Sequence, residues 1–132
     1  MPEFELIECE ELECDRIRIF KLVKDQECFY DLFENEIEQE GTYGNELIKL
    51  SSIMISYSEG VKLPDTKLNP IEDKRLNPKM KGFEIKTHNL RVYMVFLKGV
   101  GAIIIHCGKK GSQKKDISKF CNLANEYFET IE

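Results

Sequence analysis

Apolar and polar residues alternate in several short stretches of this chain and recur at helical spacing in others. Near the start, Phe4, Leu6 and Cys9 are interleaved with Glu3, Glu5, Glu8 and Glu10, which predicts a short strand over residues 3–9. Ile17, Ile19 and Leu22 then stand against Arg16, Arg18 and Lys21, and this period of two predicts a strand over 16–23. The acidic run between them, "EELECD", reads as the turn of a hairpin.

From Cys28 the period changes. Cys28, Phe29, Leu32, Phe33 and Ile37 recur at helical spacing, with Asp25 placed to cap the helix and "EGTYG" to break it near residue 40. A second helix is predicted from about Asn45. Leu47, Leu50, Ile53, Met54 and Tyr57 form its stripe, and Gly60 is placed to stop it. A short glycine-bearing link predicts that the two pack as an antiparallel hairpin.

Residues 61–81 carry Pro64, Pro70 and Pro78, with "LNP" twice, and read as a long connecting loop. Three strands follow, "GFEIKT", "LRVYMVFL" and "VGAIIIHC", joined by connections short enough for an antiparallel meander. A final helix from about Gln113 lines up Ile117, Phe120, Cys121, Ala124, Phe128 and Ile131. Tyr93 and Tyr127 read as core aromatics. The order strand, helix, helix, three strands, helix predicts an α+β fold, with helices on one face of an antiparallel sheet.

The chain has 132 residues, which suits one domain, residues 1–132, with residues 1–15 as an acidic extension carrying the extra strand. No apolar run approaches the roughly 18–20 residues that span a bilayer, and the acidic start lacks a secretory pattern, so the expectation is a cytoplasmic protein with no membrane partner. Five cysteines in no CxxC pair, with only His88 and His106 beside them, predict reduced thiols and neither a zinc site nor any other metal or cofactor.

Charge is divided unevenly. The net charge is -5, yet residues 79–120 hold ten Lys and Arg against two acids, while residues 1–78 hold nine against nineteen. The basic third ends in "IIIHCGKKGSQKKD". Such a concentration of cations points to a polyanion partner for one face. Lys86 and Arg91 flank the "THN" turn between two meander strands, and Lys109, Lys110, Lys114 and Lys115 leave the end of the third.

These elements, "FEIK" (Phe83 to Lys86), "RVYMVF" (Arg91 to Phe96), "IIIHCGKK" (Ile103 to Lys110) and the helix from Gln113, resemble in order the C-terminal half of the RelE/HigB-type toxins of bacterial toxin–antitoxin modules. The resemblance implies a RelE-like fold. It also implies a metal-independent endoribonuclease that cuts mRNA on the ribosome, using the RNA 2'-hydroxyl, and that is neutralised by an antitoxin protein. It implies Arg91 as the group balancing charge on the phosphate, Lys86 assisting, His106 shuttling a proton, and Lys109, Lys110, Lys114 and Lys115 holding RNA. Open beside it stand a non-catalytic protein- or RNA-binding module of the same fold, of phage origin, a poison of DNA gyrase, and a protein whose acidic half binds a basic partner. His106, at the end of an apolar strand, is as readily a hydrogen-bonded structural histidine.

Overall fold

The computed structural model describes residues 2–9 and 16–132. The acidic turn expected over residues 10–15, and Cys14 with it, lie outside the described residues. The chain order is β1 (Phe4–Glu8), β2 (Ile19–Lys24), β3 (Glu27–Cys28), α1 (Phe29–Glu40), α2 (Gly44–Ser58), β4 (Leu68–Ile71), β5 (Lys81–Lys86), β6 (Leu90–Leu97), β7 (Gly101–Lys109), a 3-10 turn at Lys110–Ser112, and α3 (Gln113–Ile131). The class is α+β. No helix among the described residues is long and apolar enough to cross a membrane.

All strands join one sheet in the order β1-β2-β7-β6-β5-β4, with β3 added beside β2. The extension contributes β1, antiparallel to β2. The sheet is mixed, contrary to the antiparallel expectation. β2 pairs parallel with β7, Ile19 facing Ala102 and Lys21 facing Ile104. Two helices intervene in sequence, and only a crossover of that length lets neighbouring strands run the same way.

The helices occupy both faces, another correction. The α1–α2 hairpin covers Phe83, Ile85, Val92, Met94 and Ile104, while α3 covers Tyr93, Val95, Leu97, Ile103 and Ile105. A strand covered on both sides reads as a continuous apolar run, not as an alternation, which is the character of "VYMVFL" and "AIII". On α1 the buried stripe is Tyr30, Phe33 and Ile37, and Leu32 faces solvent at 53% exposure. Ile131, expected on the buried face of α3, is also exposed.

Local stops largely follow the sequence. Gly41 at φ 76 closes α1 and donates to the Ile37 carbonyl, and Gly60 sits at φ 82 just past α2. Asp25 does not cap α1. With Gln26 it forms the left-handed turn between β2 and β3, at φ 48 and 70, and Cys28 is the N-cap. The expected loop over 61–81 contains β4, whose Pro70 is tolerated because β4 is an edge strand paired only with β5. The rest of that segment is strapped to α3: the Asn77 amide donates to Asn125 Oδ1, and Asn125 Nδ2 donates to the Arg75 carbonyl.

Candidate nucleic-acid interface

The turn Thr87–Asn89 brings Lys86 and Arg91 opposite each other at the end of β5 and β6. Its conformation is fixed from α2. Glu46 accepts hydrogen bonds from the Thr87 hydroxyl, the Asn89 amide (2.8 Å) and the Asn89 side chain (2.7 Å). Burial raises the Glu46 pKa, but these hydrogen bonds outweigh it and hold the carboxyl below its ordinary value.

Arg91 is 6% exposed. Its Nη1 donates to the carbonyls of Thr87 (2.6 Å) and Leu90 (2.9 Å), so the guanidinium is clamped against the turn. Its buried Nε has no hydrogen-bond partner, a costly arrangement for a cation. On the same strand face the Tyr93 hydroxyl is likewise buried and unpartnered, and burial pushes its pKa up, with Asp116 and Glu84 adding to the effect.

Arg91 forms part of a cleft of about 640 Å³ between the β5–β6 turn, α2, the approach to β4 and the 3-10 turn. Lys49, Lys67, Lys86 and Lys110 also line it, together with His88. Ser52, Thr66 and Thr87 bring hydroxyls, and among the described residues no carboxylate lines the cleft. Five cations with no acid beside them among the described residues, in a chain of net charge -5, give the cleft a charge that suits an oxyanion. Arg suits a phosphate because its charge is permanent and its fork matches the oxygens.

Of the residues singled out from sequence, the cleft gathers Lys86, Arg91 and Lys110. Lys109 is engaged elsewhere. It pairs with Glu40 at 2.8 Å and lies 5.9 Å from the Tyr43 ring centroid. The Glu40 hydrogen bond raises its pKa. Lys114 and Lys115 are exposed in the first turn of α3 and do not line the cleft.

His106 is also outside the cleft. Its Nε2 lies 3.1 Å from Asp116 Oδ1 on α3. A bulge puts it there: Tyr93 faces His106 but Met94 faces Ile104, so Ile105 is an extra residue. Strict alternation after Ile105 would send His106 to the opposite face; the bulge re-aims it toward α3. Ser112 Oγ donates to Asp116 Oδ2 at 2.6 Å. The carboxylate therefore stands between the hydroxyl and the imidazole, and His106 does not activate Ser112 as a nucleophile.

Lys49, Lys67 and His88 are cleft residues that sequence reasoning did not pick out. His88 had a signal, since it sits between Lys86 and Arg91 in the same turn. Lys49 and Lys67 had none: only the packing of α2 and the pairing of β4 bring them in. Among the described residues no group of three His, Cys, Asp or Glu side chains is gathered to hold a metal ion. Of the described cysteines, Cys28, Cys107 and Cys121 are free thiols. No family model, curated protein or solved structure matches the chain.

Proposed function

We propose that the cleft holds the phosphodiester backbone of single-stranded RNA and cleaves it, as the resemblance to RelE/HigB-type toxins implies. The observation that carries this is the convergence, among the described residues, of five cations and no carboxylate on one cleft of an acidic protein. The order of two helices, a three-strand meander and a last helix is compatible with a RelE-like fold.

In this reading the 2'-hydroxyl attacks the adjacent phosphorus as a base takes its proton. The bond to the 5' oxygen breaks as an acid protonates that oxygen. Arg91 and Lys86 balance the charge gathering on the phosphoryl oxygens. The proton-transfer role passes from His106 to His88, which is the imidazole lining the cleft. The cognate partners are mRNA on the ribosome and an antitoxin that neutralises the chain.

Expression of the chain is expected to arrest growth and fragment mRNA. His88→Ala, an exposed position, is expected to lose cleavage while keeping RNA binding. A chain that is harmless at high expression and leaves mRNA intact refutes the nuclease. One observation favours a binding module instead: among the described residues no carboxylate lines the cleft, so no second acid–base side chain stands there beside the His88 imidazole. Salt-sensitive RNA binding without cut products would establish that reading.

A further inference from the structure

β2 and β7 are parallel neighbours, but they part. Their pairing ends at Lys21 and Ile104. From Val23 onward β3 takes the place beside β2, Val23 facing Cys28 and Lys24 facing Glu27, while β1 occupies the other side of the same residues. Beyond the parting, β2 leads through β3 into α1 on one face of the sheet. β7 leads into α3 on the other. Parallel strands whose connections leave to opposite faces open a crevice at their carboxyl ends, the usual place for a ligand in such sheets.

A pocket of about 420 Å³ lies there. Phe29 and Leu123 give it apolar walls, and the Phe29 ring meets His106 edge-on, centroids 6.2 Å apart. Lys24 is neutralised by Glu126 at 2.7 Å. Lys119 has no ion-pair partner among the described residues, so it is the uncompensated cation of the pocket. Asn122 presents an amide, with both donor and acceptor, at the rim. With Nε2 of His106 given to Asp116, its other ring nitrogen makes no hydrogen bond among the described residues.

We propose that this crevice is a nucleotide site: one base lies against Phe29 and Leu123, its edge is read by Asn122 and His106, and one phosphate is held by Lys119. A pocket with apolar walls, a single amide and a single net positive charge matches one nucleotide unit of a strand. The pocket stands on its own geometry, and the choice of a nucleotide rests on the RNA reading of the cleft. Both openings are at the same end of the sheet, since Lys109 faces Leu90 and His106 faces Tyr93.

The test is an NMR titration of the ¹⁵N-labelled full chain with adenosine, guanosine, cytidine and uridine 5'-monophosphates, and separately with inorganic phosphate. At least one nucleotide is expected to shift the amides of Phe29, His106, Asn122 and Leu123, and inorganic phosphate is not. Phe29→Leu is expected to weaken binding about fivefold or more, the loss of a stacked base. Asn122→Ala and Lys119→Ala, at exposed positions that leave the fold intact, should weaken it too, and Lys86→Ala should not. Absence of shifts with all four nucleotides, equal shifts with inorganic phosphate, or loss of the shifts in Lys86→Ala overturns the crevice site. Mononucleotide binding in a chain that neither binds nor cuts RNA leaves the crevice standing and refutes the cleft reading alone.

Discussion

Salt is the sharpest probe of the cleft, because its cations can be counted. A cation that neutralises a phosphate releases condensed counterions. For single strands the logarithm of the affinity falls with the logarithm of salt by about 0.7 per contact. Lys49, Lys67, Lys86, Arg91 and Lys110 allow at most five contacts, hence a slope of about -3.5. Raising salt fourfold, from about 50 to about 200 mM, then weakens RNA binding about 100-fold. Lys86→Ala removes one contact, so the slope drops to about -2.8 and the same change in salt costs about 50-fold. The control is Lys98→Ala. Lys98 is exposed in the β6–β7 turn, and the cleft lies at the other end of β6. Fluorescence anisotropy of a labelled RNA oligonucleotide across a salt series measures all three. A slope shallower than about -1, or equal effects of Lys86→Ala and Lys98→Ala, would refute the argument that these side chains act together on the backbone.

Two stability predictions follow from the groups that hold the site in place. Gly108→Ala is expected to destabilise the protein by about 1–3 kcal/mol, read as a lower urea midpoint. A Cβ there would lie 1.9 Å from Asp116 Oδ2 and 2.8 Å from Cγ, and that carboxylate is tethered by Ser112 and His106; an unchanged midpoint sinks the idea that it cannot yield. The folded-state pKa of Glu46 lies below its ordinary 4.5, so its contribution is complete above that value and is lost as pH falls through the folded pKa. Thermal melts between about pH 5 and pH 3 should show a smaller acid-induced loss in Glu46→Gln than in the unaltered chain, and identical losses would show that the clamp on the turn does not matter.

Much of the local structure was legible from the chain. Helical spacing marked α2 through Leu47, Leu50, Ile53 and Met54, all buried, and the glycines at 41 and 60 marked helix ends because both adopt positive φ. The meander followed from three apolar runs with short connections. The pairing of Lys86 with Arg91 followed from the length of one turn. What misled was local evidence outvoted by distant partners. The prolines of residues 61–81 argued against a strand, but β4 lies on an edge where a missing N–H is harmless. Asp25 looked like a helix cap and became a hairpin turn because β3 interposes between β2 and α1.

The sequence by itself determined the periods, the turns and the segregation of positive charge into residues 79–120, since each depends on residues near one another along the chain. Only the tertiary structure decided that β2 runs parallel to β7, that helices cover both faces, that a bulge swings His106 away from the cleft, and that Lys49 and Lys67 come to stand beside Arg91. Strand partner, register and helix placement are set by which surfaces bury best against each other across long stretches of chain, and a pattern read over ten or twenty residues does not contain that competition.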